Sequence, residues 1–507
     1  MSAAITLRRG GARSPTVIVP RLVCKGDYTS QAWICVHPPC RRLSSGTGRD
    51  KVTPPMSKPS TKPPSGMRDF LPQDLVRRHH VIGVVREVFE RYGFVPLETP
   101  SIENLAVLTG KYGEDEKLIY RLLHRGLKLG GILESKGANV AENDLADQAL
   151  RYDLTVPLAR VVAQYGDLPR YFKRYQIQPV WRADRPGRGR FREFYQCDVD
   201  ITGTTSLVAD AEVCAAGCEA LSTLGFSDFT MGVNHRELLR GLVRNAGIDP
   251  TLESTALVAV DKLDKVGPEG VEKELAGRGI DAECAARLVT LVQLEGDDNA
   301  HLLERLRETL AGDDAAIAAI DDLSQLLTLL ETGPAAPHVR ISPKLARGLS
   351  YYTGPIFEAS VPDLAGSIAG GGRYDGLVGM FGKKQVPAVG LALGLERIIL
   401  IMGERGLYPD LLAGPQVLLC PLGIDAADAL KVAHTLRKQS LRVEVYPDSA
   451  KLGKQLQYAD APGVSAPFAA IVGASELAAG TVTLKHLQSG EQHTLPVADV
   501  GAHIAGL

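Results

Sequence analysis

The chain has 507 residues, 45% of them hydrophobic and 23% charged, with a formal net charge of −2. That length supplies about two to four domains and a large core. The near-neutral balance excludes a global basic field for nucleic acid, so any RNA contact must come from local patches. No apolar run approaches what a membrane-spanning helix needs, so no membrane partner is expected.

The first fifty residues depart from this average. Seven Arg and one Lys stand against Asp27 and Asp50, a formal +6, and Ser and Thr are common. Basic, hydroxylated, acid-poor composition is that of an organelle transit peptide. Arg41-Arg42-Leu43-Ser44-Ser45 resembles a mitochondrial processing site. Residues 1–55 are therefore assigned to a transit peptide and linker, with the mature chain in a mitochondrial or other organelle matrix. The stretch Lys51–Gly66 is too Pro-rich for a helix or a central strand. Met56 lies within it, and a start there would give a cytoplasmic form.

Leu75, Ile82, Val85, Phe89 and Tyr92 fall at helical spacing over Gln73–Tyr92, and Gly93 supplies a stop. Phe94–Ile102 reads as extended, with Pro96 and Pro100 allowing only edge pairing. A polar, Gly-containing insertion follows at Leu122–Gln148, and then RYDLTVPLAR, which carries Asp153 and Thr155. Tyr175–Gly203 reads as strand, basic turn, strand, with Arg182, Asp184, Arg190, Phe194, Gln196 and Asp200 along it. Asp210–Leu224 is a helix rich in Ala and Cys. From about Phe229 to Pro337 the pattern is helical. It carries acid pairs at Asp297-Asp298, Asp313-Asp314 and Asp321-Asp322, which read as solvated outer faces unsuited to RNA.

Glycine-bearing blocks then return: RGLSYYTGPIFE from Arg347, AGGGRYDGLV from Ala369, and VGLALGLER ending at Arg397. The last reads as an apolar strand running into a helix. Gly414-Pro415 marks a boundary. Beyond it, strands at Gln416–Pro421, Arg442–Tyr446 and Phe468–Val472 alternate with helices. One helix is N-capped by Asp425, with a core face of Ala426, Leu430, Ala433 and Leu436; the other spans Lys451–Asp460. That alternation predicts a small α/β module with parallel strands. Lys451, Lys454 and Gln455 form a basic, hydrogen-bonding helix start suited to phosphates and splayed bases. The eight cysteines include no CxxC pair, so a zinc site is not expected, and Cys197, Cys214 and Cys218 read as packing.

Two separated arginines on rigid elements, Arg182 and Arg397, are what a bent nucleoside triphosphate needs. Guanidinium forks pair with phosphate oxygens in a geometry that lysine cannot copy. The segments around them resemble motifs 2 and 3 of class II aminoacyl-tRNA synthetases, and Gln73–Pro100 resembles motif 1, which builds the family's dimer interface. RGLSYYTG, GGGRYDGLV and RYDLTVPLAR are similar to signature blocks of the histidyl-tRNA synthetases. The resemblance runs from about Ser65 to the C-terminus. It implies an α/β chain: an α+β catalytic core on an antiparallel sheet with helices (65–228 and 338–405), a helical insertion (229–337) and a C-terminal α/β anticodon-binding domain (415–507).

It also implies substrates and roles. Histidine and ATP, the latter with Mg2+, would form histidyl-adenylate, and tRNA(His) would receive the amino acid, with no tightly bound cofactor and no protein metal ligands. Arg182 and Arg347 would act on the α-phosphate. Asp184 would face the adenine amino group, Phe194 would stack on the base, and Arg190 and Arg397 would take the β/γ end. Asp153, Thr155, Gln196, Asp200, Tyr351, Tyr352 and Tyr374 would bind histidine. Ser350 stands where the family usually has Asp, which removes a charge beside Arg347. The main rival is a catalytically inactive paralogue acting as a histidine-sensing regulatory subunit. Such proteins typically lack the C-terminal module and key ATP arginines, which this chain has. A synthetase for proline or threonine, or an RNA-binding module without catalysis, would not need the histidine blocks.

Overall fold

The computed structural model describes residues 60–110, 113–347, 351–382 and 384–507. The transit peptide, Met56 and Ser350 lie outside the described residues.

Helix α1 (Pro72–Arg91) starts on Pro72, whose fixed φ suits the first turn. Its buried stripe is Arg78, Val81, Val85, Val88 and Phe89. The expected stripe is right at Val85 and Phe89, and Ile82 and Tyr92 are half-buried against the same core. Leu75 is exposed, and Val81 and Val88 face the core in its place. The chain then enters β1 (Val95–Pro96), β2 (Ile102–Asn104), the single turn α2 (Leu105–Leu108), β3 (Arg121–Leu123), α3 (Gly126–Lys136), β4 (Ala146–Leu150) and α4 (Thr155–Gln164). The expected insertion at Leu122–Gln148 is thus a helix between two strands of a small sheet ordered β2-β4-β3. Strands β5 (Phe172–Trp181) and β6 (Glu193–Thr202) form the expected pair around the basic turn, and α5 (Leu207–Thr223) follows.

Strand β7 (Thr230–His235) corrects one boundary. The helical segment was expected from residue 229, yet β7 belongs to the main sheet. Its alternation of Met231 and Val233 with Gly232 and Asn234 is a strand signal that the neighbouring helices masked. Helices α6 to α11 (Arg236–Asn245, Glu253–Val260, Leu263–Gly277, Ala282–Val292, Asn299–Thr309 and Asp314–Leu330) then form one long crossover to β8 (Val339–Ile341), which pairs parallel to β7. The acids of this segment are not merely solvated. Asp298 and Asp313 accept backbone N–H bonds at the starts of α10 and α11, and Asp321 pairs with Arg307 at 2.5 Å.

Strands β9 (Pro355–Ser360), β10 (Ala369–Arg373) and β11 (Ala388–Gly394) close the main sheet, and α12 (Leu395–Arg405) follows. The eight-stranded order is β1-β5-β6-β11-β10-β9-β7-β8, antiparallel except at its two ends. β1 is an edge, which is where Pro96 can sit. The register divides the sheet's faces. Cys197, Val199, Leu391, Leu393, Phe357, Met231 and Val233 form one face, buried in the core. The other face carries the polar and glycine positions.

The C-terminal unit holds β12 (Val417–Pro421), α13 (Ala426–Arg437), β13 (Val443–Val445), α14 (Leu452–Ala459), β14 (Phe468–Val472), α15 (Ala474–Ala479), β15 (Thr481–His486), β16 (Gln492–Pro496) and α16 (Val500–Ala505). Its sheet is mixed: β13-β12-β14 run parallel as expected, and β15 and β16 add antiparallel strands. Asp425 caps α13 as expected, through Ala427 N–H. The buried face of α13 is Ala429, Val432, Ala433 and Leu436, whereas Ala426 and Leu430 are exposed. Each face of this sheet has its own apolar cluster, one around Val417, Leu419 and Leu436, the other around Leu418, Cys420 and Tyr446.

Candidate active site

Paired residues on adjacent antiparallel strands point to the same side. The register therefore sets Arg174, Gln176 and Gln178 of β5 beside Asp200, Asp198 and Gln196 of β6. Next come Gly390, Ala392 and Gly394 of β11, then Gly372 and Gly370 of β10, then Ile356 and Glu358 of β9. The result is a floor that is acidic and amide-bearing over β5 and β6 and side-chain-free over β10 and β11. A ligand can lie flat only where Cβ atoms are missing or small.

Two of those glycines are filled by neighbouring side chains. A Cβ on Gly370 would overlap the Arg347 guanidinium, and one on Gly390 would overlap the Asp200 carboxylate. Arg347 itself has φ 42°, a left-handed conformation unusual for a side-chain-bearing residue, and such strain concentrates at functional sites. Its Nη1 donates to Phe357 O at 3.3 Å and to Glu358 Oε2 at 3.2 Å. This fixes the guanidinium above β9 and β10.

Arg182 leaves the end of β5. It donates to Tyr152 O at 3.1 Å and to Gln196 Oε1 at 3.5 Å, with its guanidinium 4.2 Å from the Tyr152 ring centre and 5.1 Å from that of Phe194. Arg190 lies exposed on the turn, its Nε 4.0 Å from Asp184 Oδ2. Arg397, near the start of α12, donates to Ser367 O. Burial pushes the Arg397 guanidinium below its usual pKa, and the charges of Arg190 and Arg182 add to that effect. Glu358 acts in the opposite sense, and the grouped guanidinium charges favour an anion between them.

The expected histidine residues also come together. Asp153 Oδ1 accepts Val156 N–H at 3.1 Å, which starts α4 beside Thr155. Thr155 shares a side-chain hydrogen bond with Tyr351. The Tyr351 ring centre is 5.0 Å from that of Tyr352 and 6.0 Å from that of Tyr374. Tyr374 donates its hydroxyl to Asp200, whose other oxygen lies 2.9 Å from Arg174 Nη2. Burial, foremost, raises the pKa of all three tyrosines, so they remain neutral hydroxyls able to donate and accept.

Several contributors escaped the sequence. Asp198 lies between Gln196 and Asp200 on the same face of β6, a position the period of two gives directly. Arg174 is fully buried and supplies the counter-charge for Asp200. Glu396, next to Arg397, is buried and accepts from both Arg68 and Arg78. Arg68 also stacks on Phe191 of the basic turn at 3.6 Å, and Arg192 N–H donates to Gly66 O at 2.8 Å. The segment before α1 thereby straps the turn to the start of α12. No sequence period could reveal contacts between segments so distant along the chain. The described residues contain no group of three His, Cys, Asp or Glu able to hold a metal ion.

The chain is similar to known proteins over most of its length. Residues 141–398 match the Histidyl-tRNA synthetase family, and residues 416–507 match the Anticodon binding domain family. The chain is 44% identical over 467 residues to a histidine--tRNA ligase of Gloeobacter violaceus, covering 87% of this chain and 97% of that one. Against a histidine--tRNA ligase of Cytophaga hutchinsonii it is 42% identical over 454 residues, covering 88% and 99%. The crystal structure of histidyl-tRNA synthetase from Nostoc sp. PCC 7120 superimposes with a TM-score of 0.74 at 32% identity, covering 89% of this chain and all of that one. Crowded cations next to a pocket of acids and tyrosines are thus found in a chain that such relatives match almost end to end, and the chain belongs to the histidyl-tRNA synthetase family.

Proposed function

We infer that the chain is a histidine--tRNA ligase that works in two steps. A carboxylate oxygen of histidine attacks the α-phosphorus of ATP in line. The bond from that phosphorus to the bridging oxygen breaks, and pyrophosphate leaves. The terminal ribose hydroxyl of tRNA(His) then attacks the carbonyl carbon of the adenylate, and AMP leaves. The observation that carries this reading is the shared floor: the arginine cluster and the acid–tyrosine pocket meet on one face of one sheet, at Arg182 and Gln196. An inactive histidine sensor would not need that cluster, and relatives at 44% and 42% identity are ligases.

In this reading Arg182 and Arg347 stabilise charge that grows on the α-phosphate, which preorganised donors do without reorganising at the moment of reaction. Arg190 and Arg397 take the β/γ end. Asp184 faces the adenine amino group and Phe194 its ring. Asp153, Thr155, Gln196 and the tyrosines orient histidine, and orientation is a large part of catalysis in such transfers. ATP enters as its Mg2+ complex. The test is histidine-dependent ATP–pyrophosphate exchange by the purified chain. Well-folded protein that shows none would support the sensor instead.

The chain also fits a symmetric homodimer. Val95, Ile102, Tyr165 and Tyr171 are large and exposed near the β1 edge, where the segment resembling motif 1 lies. Light scattering at micromolar concentration should give twice the chain mass, and a monomer would refute the assembly. Import into an organelle rests on the composition of residues 1–50; a reporter fused to them that stays cytosolic would refute it.

A further inference from the structure

Arg347 is held at φ 42°, outside the ordinary range for a residue with a side chain. Such strain persists only where the surroundings over-determine it. The residues before Arg347 show how they do so. Ser342 N–H donates to Val233 O at 2.9 Å, and Leu345 N–H donates back to Ser342 O at 3.0 Å. The turn so formed turns two carbonyls toward one side chain. Asn234 Nδ2 donates to Pro343 O and to Leu345 O, each at 3.0 Å.

Asn234 is fully buried near the end of β7, opposite Ile356 of β9. Its Oδ1 accepts His235 N–H at 2.8 Å. Carbonyls on one side and an N–H on the other fix the orientation of the amide and use both of its donors. Asn234 therefore acts on the loop and not on a ligand. The far end of the loop is held separately. Arg236 N–H donates to Gly354 O at 2.9 Å, and Thr353 N–H donates to Arg373 O at 2.8 Å. These are backbone bonds next to Tyr351 and Tyr352, and a change of the Asn234 side chain leaves them in place.

We propose that Asn234 is a positioning residue for Arg347: its amide clamps the Pro343 and Leu345 carbonyls and so sets the backbone from which the guanidinium reaches over Gly370. This rests on the role given to Arg347 above. A planar fork must be aimed as well as present, and a displacement of about 1 Å can cost about 100-fold in rate.

The test uses the full-length chain with Asn234→Ala and with Asn234→Asp, which keeps the shape and the acceptor for His235 N–H but replaces the amide donors. Single-turnover adenylate formation is measured per histidine-binding site, and histidine affinity by calorimetric titration. Each variant should form adenylate about 10- to 100-fold more slowly, with histidine affinity within about twofold of the unmodified chain. Each substitution is then repeated in Arg347→Ala. If Asn234 acts through Arg347, it should there cost less than about twofold more, because residues that share one interaction do not add. One folded variant suffices. A full additional loss in the Arg347→Ala background, an unchanged rate, or a parallel loss of histidine affinity overturns the proposal. So does failure of both variants to bind histidine, which would make Asn234 a folding residue. Unchanged adenylation by Arg347→Ala alone overturns the role of Arg347, and this inference with it.

Discussion

Arg347→Ala should lower single-turnover adenylate formation by about 100- to 1000-fold while leaving histidine affinity nearly unchanged. The direction follows from where the side chain is held. Its guanidinium is fixed over Gly370 by Phe357 O and Glu358, on the glycine side of the floor rather than among the histidine-facing acids. A donor that is already oriented stabilises charge as it appears on the α-phosphate, so its removal is felt in the transition state more than in ground-state binding. Stability should change little. Alanine keeps the Cβ that makes φ 42° costly, and Glu358, left without Arg347, is exposed enough for water to solvate it. Arg347→Lys should recover only part of the rate, because an ammonium is a point charge and cannot present a planar fork. Quench-flow measurement of adenylate and calorimetric titration of histidine separate the two effects. An unchanged adenylation rate would remove Arg347 from the chemistry.

Local patterns made much of this chain legible. The strand–turn–strand carrying Arg182, the strand-to-helix passage at Arg397, the helix at α1 and the cap at Asp425 each depend on neighbours in sequence, and each is present. Errors arose where partners are distant. On α1 and α13 the helical period is right and the buried face is right in part, because its edges depend on what packs against the helix: Val85, Phe89, Ala433 and Leu436 are buried as expected, whereas Leu75 and Leu430 are exposed and Val81 and Val432 are buried. β7 was absorbed into the helical segment because its sheet partners β8 and β9 follow about a hundred residues later. In the site, motif resemblance found Gln196 and Asp200, yet strand alternation alone puts Asp198 on their face. Glu396 was invisible as a clamp because its two arginines belong to the opposite end of the catalytic sequence.

The same contrast between local and distant contacts governs where the chain can be divided. A chain ending after Leu412 should keep pyrophosphate exchange close to that of the full chain while losing efficient tRNA charging. The cut belongs there rather than after Arg405. Leu407 and Tyr408 still pack on the catalytic core, Tyr408 Oη donates to Ile399 O at 3.2 Å, and Gln73 Nε2 donates to Leu411 O at 3.4 Å. Beyond Gly414 the apolar clusters are separate ones, centred on Leu419 and Leu418, so removing that unit opens no hole in the catalytic core. Every arginine and acid of the ATP and histidine pockets precedes the cut. For tRNA the outcome differs. A ligand engaged at two tethered surfaces gains about 100- to 10,000-fold in avidity when the geometry allows both contacts, and deletion of one surface forfeits that gain. Within the removed unit, Gln455 is not a base-reading candidate: it is fully buried, with its amide bonded to Pro421 O and Ala450 O. Lys451 and Lys454 are exposed at the start of α14 and remain available to phosphates. A truncated enzyme that unfolds cooperatively, retains exchange and needs far more tRNA for the same charging rate is the expected result. Charging at equal tRNA concentration as fast as the full chain would show that this unit does not engage the tRNA.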